Sequence, residues 1–155
     1  MTTLPRFVAA LAAWSAAAVF AQASWPAAQH LAEATLARHP EAAHVVLHVT
    51  PPGAPDSENL VIGSTMGHLG KKADEDDLRI MHEARTETVV AKSGDRFNVS
   101  LPLYDAHDKA IGIVAIGFPY KAGNDKAPLV ANAERIRDEL RHEIADAGAL
   151  FAGAR

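Results

Sequence analysis

GDRFNVSLPLYDAHDKAIGIVAIGFPY, residues 94–120, reads as two strands joined by one tight turn. From Arg96 to Tyr104 the polar residues Arg96, Asn98 and Ser100 alternate with Phe97, Val99, Leu101 and Leu103. That period of two marks a strand with one dry face and one polar face. Asp105-Ala106-His107-Asp108 supplies the turn, and Ala110 to Phe118 is the partner strand. Gly112, Ala115 and Gly117 in the partner leave room for another backbone or a ligand to come close to the sheet. A strand pair of this kind can line a pocket, so the stretch points to binding ahead of catalysis.

Working outward, Thr86 to Lys92 reads as a strand joined to the pair through Ser93-Gly94. Before it, Asp74 and Asp77 bracket the start of EDDLRIMHEA, a carboxylate form of the capping box, and Leu78 and Met81 give that helix its buried edge. HVVLHVT (44–50) and NLVIGST (59–65) are the first two strands, separated by a surface loop that opens with Pro51-Pro52-Gly53. Ahead of them Ser24 as N-cap and Pro26 in the first turn start a helix. It stops before Pro40, with Leu31, Thr35 and Leu36 toward the core. Downstream, KAGND holds a loop with an N-cap at Asn124 or Asp125. A long amphipathic helix, Lys126 to Ala147, then carries Leu129, Ala133, Ile136, Leu140, Ile144 and Ala147 on one stripe. This order gives an α+β domain with a five-stranded, mainly antiparallel sheet and flanking N- and C-terminal helices.

The first 23 residues have the form of a cleavable secretory signal: Arg6, an apolar run from Phe7 to Phe20, then Ala21-Gln22-Ala23. The run is shorter than the ~20 residues a spanning helix needs. Cleavage after Ala23 leaves residues 24–155 as a single exported domain, with the periplasm as the expected compartment and no membrane span after cleavage. An uncleaved anchor is the other reading of the same run. The chain has no cysteine, so an exported domain must be held by packing alone. Its formal charge is −4 and no Lys/Arg cluster exceeds Lys71-Lys72, which argues against a nucleic-acid partner.

Two stretches, NLVIGSTMGHLGKKADEDDL (59–78) and GDRFNVSLPLYDAHDKAIGIVAIGFPYKAGNDK (94–126), together with the order of elements, resemble the PAS-like extracytoplasmic Cache sensor domains of the small single-Cache type. The resemblance runs from about Trp25 to Ala147. It implies a PAS/Cache-like fold and recognition of a small ligand, an amino acid, amine or carboxylate, on one face of the sheet. The family's output through a membrane helix has no counterpart in the last helix, so the resemblance leaves either a free-standing module that reports to a separate partner, such as an envelope protein, or a domain that has lost the sensing role.

The candidate ligand-binding residues are Arg96, Asn98 and Ser100 as the pocket wall and Tyr104 at its rim. Ser64, Thr65 and His68 lie on a loop, extending to Lys72, that closes over the ligand. Arg96 is suited to a two-pronged hold on a carboxylate. The same polar face equally suits simple contact with water, and Gly63, Gly67 and Gly70 need no more than turn-making to account for them. Eight histidines raise metal binding, yet His44 and His48, on one strand face, stand ~13 Å apart, too far to chelate one ion. A site from His68 and His82 with Met66 or Met81 is the remaining metal arrangement, and the expectation is no metal and no cofactor. No hydrolase, P-loop or dinucleotide fingerprint is present, and the acidic run 74–77 lacks EF-hand spacing, so a non-enzyme is expected. The rival reading is a scaffold that forms a homodimer, or docks on an envelope protein, through the apolar stripe of the last helix, with no ligand.

Overall fold

The computed structural model describes residues 23–154. The expected leader, up to Gln22, lies outside the described residues. The elements are α1 (Pro26–Arg38), β1 (His44–Val49), β2 (Leu60–Ser64), α2 (Glu75–His82), β3 (Glu87–Val90), β4 (Arg96–Tyr104), β5 (Ala110–Pro119), α3 (Ala127–Glu143) and α4 (Ala147–Leu150), with a short 3-10 turn at Asp56–Glu58. The five strands form one sheet in the order β2-β1-β5-β4-β3, and every pairing between them is antiparallel. The domain is α+β, with α1 and α3 flanking the sheet, as the order of elements read from the sequence implies.

One face of the sheet carries the main core. Val45, Leu47 and Val49 of β1, Phe97, Val99, Leu101 and Leu103 of β4, and Val114, Ile116 and Phe118 of β5 are buried there beneath α1 and α3. The apolar stripe of α3, Ala133, Ile136 and Leu140, lies in this core, and Ile144 just past the helix end is also buried. The stripe read as a dimerisation seam is therefore covered within the fold. Its helix starts at Ala127 with Lys126 as N-cap and no side-chain cap, while Asp125 Oδ1 instead accepts from Ala127 N at 3.0 Å.

The first helix faces the core with Thr35, Leu31 and Leu36 as expected, but its small residues lie deepest. Ala28, Ala32 and Thr35 are fully buried, whereas Leu31 and Leu36 are only half-buried. A bulge between Leu47 and His48 leaves Ile62 as the extra residue of β2 and turns Gly63 toward α1. A Cβ on Gly63 would lie 2.5 Å from the Ala28 carbonyl oxygen, so helix and strand meet backbone to backbone through their smallest residues. The N-cap of α1 is Trp25 rather than Ser24, with Pro26 in the first turn as its fixed φ favours.

The second face of the sheet is divided. At one end α2 covers it, packing Ile80 and Met81, with Leu78 half-buried, against Ile113 of β5. Asp74 holds the start of that helix: its side chain accepts from Asp77 N, and the Asp77 side chain accepts from Asp74 N. The other end, over the first halves of β1 and β4 and the last of β5, has no helix of the described residues above it.

Candidate ligand site

The open end of the second face is a cavity of about 240 Å³. Two cross-strand rows make its floor: His44, Gly117, Asn98 and Val89 in one, and Val46, Ala115 and Ser100 in the next. His48 and Val61 bound it on the side of α2, and the loop after β2 adds Met66, His68 and Lys71 as a wall. That loop is pinned along the outer edge of β2, where Gly70 N donates to Val61 O at 2.8 Å and Val61 N to Lys71 O at 2.9 Å. Gly67 and Gly70 turn it with positive φ of 91° and 80°, and His68 sits between them at 69°. The glycines thus make turns, and in doing so they raise the loop into a wall.

Gly117 shapes the floor. A Cβ there would lie 2.0 Å from His44 Cε1 and 2.5 Å from each ring nitrogen, so the imidazole lies across β5 in the space that a side chain would fill. Gly112 serves a different purpose, letting β5 close on the His48 carbonyl, 1.9 Å from where its Cβ would be. Both uses of small residues, for a neighbouring backbone and for a site, occur in the one strand.

Three buried side-chain polar atoms have no hydrogen-bond partner among the described residues, and two of them, His48 Nδ1 and Asn98 Oδ1, are on residues that line the cavity. The third is Asn59 Oδ1, elsewhere in the loop network. An unmade bond of this kind costs ~1–3 kcal/mol, and a face that served packing alone would have replaced or paired such atoms.

The electrostatics follow from burial. His44 is 6% and His48 9% exposed. Burial pushes the His44 imidazole below its ordinary pKa, and the charge of Arg96 adds to the effect. Burial also pushes His48 down, with Lys71 adding to it and the carboxylates of Asp77 and Asp74 opposing. Both rings are neutral at neutral pH. Each offers a donor and an acceptor, beside an amide, a hydroxyl and one ammonium. No carboxylate lines the cavity among the described residues, and no nucleophile there has a hydrogen-bonded base.

Of the residues singled out from sequence, His68, Asn98 and Ser100 line the cavity. Arg96, Ser64, Thr65 and Tyr104 do not. Arg96 lies one row beyond His44, opposite Pro119, with its side chain 42% exposed and Nε 3.7 Å from Asp95 Oδ1. It is a charge beside the site rather than a wall. Ser64 is clasped to α1: its N–H donates to Gln29 Oε1 at 3.0 Å, its carbonyl accepts from Gln29 Nε2 at 2.9 Å, and its Oγ accepts from Met66 N at 3.2 Å. Thr65 extends the β1 pairing through its Oγ1, which accepts from Val45 N at 3.0 Å. Tyr104, next to the β4–β5 register shift, lies under the Arg137 guanidinium of α3 at 5.5 Å. The contributors missed from sequence are Val61, Val89, and His44, Val46 and His48, the last three sharing one strand face by their spacing. His82 is not among the cavity residues, and its Nε2 pairs with Asp56 Oδ2 at 2.8 Å. Among the described residues no three His, Asp or Glu side chains are grouped to hold a metal ion, and no helix is long and apolar enough to cross a membrane.

No family model matches the chain, and no curated protein matches it. Among solved structures it is similar to the repressor BlcR of Agobacterium tumefaciens, with 14% identity and a TM-score of 0.46 over 73% of this chain and 65% of that one. A second is a transcriptional regulator of the IclR family from a Rhodococcus species, with 13% identity and a TM-score of 0.46 over 78% of this chain and 63% of that one. A third is a domain of another IclR-family regulator, with 14% identity and a TM-score of 0.41 over 76% of this chain and 96% of that one. The chain thus spans under two thirds of the length of the first two.

Proposed function

We propose that this chain is a small-molecule-binding module, without catalysis, whose ligand sits on the open half of the sheet between Asn98, Ser100, His44 and His48 and the wall of Met66, His68 and Lys71. The observation that carries this reading is the pair of unpartnered buried polar atoms, His48 Nδ1 and Asn98 Oδ1, on residues of one cavity. At ~30 Å³ of liquid per water, 240 Å³ holds about eight waters or a solute of about that many heavy atoms. A small polar or anionic metabolite fits, in the class of amino acids, amines and short carboxylates. Val46, Val61, Val89 and Ala115 supply an apolar lining for its carbon skeleton.

The finer parts of the proposal are those expected from sequence: export by residues 1–23, a relationship to the single-Cache sensors, and readout through an envelope partner. Support for such a readout is that the wall loop exposes Met66 and Leu69, two apolar side chains a partner could cover. A thermal-shift screen of amino acids, amines and short carboxylates tests the core of the reading. Binding to the native state alone stabilises it by ~2.7 kcal/mol at a hundred times Kd. A hit that is lost in Ser100→Ala and Asn98→Ala but kept in Arg96→Ala supports the site. A screen without a hit, or a hit indifferent to Ser100 and Asn98, refutes it.

A further inference from the structure

Three imidazoles, those of His44, His48 and His68, line one small cavity, which is more than hydrogen bonding to a metabolite requires. Two of the three are over nine-tenths buried, and no side chain of the described residues balances a positive charge on His44. The surroundings can be taken element by element. From β1 come His44 and His48 themselves. The two β5 residues of the floor, Ala115 and Gly117, carry no charge, and nor does Ile113 beside His48. On β4 lies Arg96, beside Asn98 and Ser100. On β3, Glu87 is opposite Ser100, outside the lining, and is held by Arg85. The loop brings His68 and Lys71, and α2 with its cap brings Asp74 and Asp77 toward His48. The lining itself therefore holds one ammonium, three basic rings and no carboxylate.

We propose that this cavity takes up a small anion together with one proton, the imidazole of His44 or His48 receiving that proton as the anion seats beside it. The inference rests on the reading of the cavity as a ligand site and specifies its chemistry. In the ligand-free site burial keeps the rings neutral, and Arg96 and Lys71 oppose a further positive charge. An anion placed between Lys71, Asn98 and the two rings reverses that balance, because it supplies the opposite charge that the lining lacks. Linkage fixes the sign. The bound state holds the proton more tightly than the free state, so affinity rises as pH falls between the two ring pKa values. The slope is about tenfold per pH unit for each proton taken up. A neutral ligand of the same shape gains nothing from acid.

The test uses the whole protein and the probes pyruvate and nitrate, which stay ionised throughout, with acetamide as a neutral control. Isothermal titration calorimetry between about pH 5.5 and about pH 7.5, in two buffers of different ionisation enthalpy, reads both affinity and protons exchanged. The expected result is anion binding that strengthens about tenfold per pH unit on acidification, with uptake of about one proton. The slope flattens in His44→Gln or His48→Gln. Anion binding with no proton exchange, acetamide binding while both anions fail, or a slope that survives in both variants overturns the inference and leaves the ligand site standing. Failure of these probes and of every compound in the screen removes the site as well, and the inference with it. Proton uptake is measured on the unaltered protein, so the outcome stands even where a histidine variant does not fold.

Discussion

Replacing Gly117 by alanine is the sharpest perturbation of the site that leaves every polar group in place. The new Cβ would stand 2.0 Å from His44 Cε1 and 2.5 Å from both ring nitrogens, against an ordinary contact of about 3.5 to 4.0 Å. The ring must retreat by about 1.5 to 2 Å, and the direction open to it is the cavity. Overpacking costs ~1–3 kcal/mol in a closed core and sits at the low end here, because the ring can yield into the cavity. For ~130 residues, at ~2.1 cal/mol/K each, ~1 kcal/mol lowers Tm by about 4 °C. The strain is attributed to one side chain, so a double-mutant cycle isolates it. With His44→Ala in the background, Gly117→Ala should cost under ~0.5 kcal/mol, giving a coupling of at least ~0.5 kcal/mol between the two positions. Urea denaturation followed by circular dichroism measures all four corners. Equal costs of Gly117→Ala in the two backgrounds would refute the placement of the imidazole over β5, and with it the shape given to the floor.

Further outcomes follow from the same geometry. His44 and His48 have depressed pKa values in the folded state, so the unfolded chain binds more protons below the ordinary histidine pKa of ~6.5. Without ligand, stability should fall on acidification from that point down through the folded pKa values, by up to ~1.4 kcal/mol per pH unit for each ring, and His48→Gln should reduce the slope. Arg96→Ala should change stability by less than ~0.5 kcal/mol, because the side chain is exposed, and should raise the His44 titration midpoint followed by NMR, because a like charge is removed. Ile136→Ala should cost ~2–5 kcal/mol in denaturation, since that side chain of α3 is fully buried in the main core. A loss of dimers without loss of stability in Ile136→Ala would return the helix to the role of a docking seam.

The sheet was legible because its two longest strands obey simple rules. Arg96 to Leu101 alternates in sequence and in burial, and Asp105 makes the turn after the strand, accepting from His107 N and Lys109 N through Oδ1 at 2.9 and 3.1 Å. The helix after Asp74 was legible from its reciprocal cap. What sequence patterning did not carry was contact between small residues. Ala28 and Ala32 face β2 ahead of Leu31 and Leu36 because Gly63 admits the helix backbone, and no hydropathy pattern records that fit.

The site divides along the same line. Asn98 and Ser100 were visible from period two alone. His44 and His48 were not, since β1 lies between β2 and β5 and all six of its residues are buried, which erases the contrast between faces. Their shared face was evident from spacing, but it was weighed only for chelation. Ser64 and Thr65 carry the right chemistry and are used by the fold: each bonds to a neighbouring element, α1 or β1, that lies far away in sequence. Arg96 begins β4 beyond the end of β3, where its side chain reaches water.

The central claim is that the open half of the sheet is where a metabolite binds. Titrating the isotope-labelled protein with the strongest hit of the screen, and following backbone amide shifts by NMR, addresses it most directly. Ligand in this cavity should move the amides of Asn98, Ser100, Ala115, His44 and Lys71 first and furthest, with those of α3 nearly still. Shifts centred on α3 or on the loop of Pro51 to Asp56, with the open face of the sheet unmoved, would contradict it.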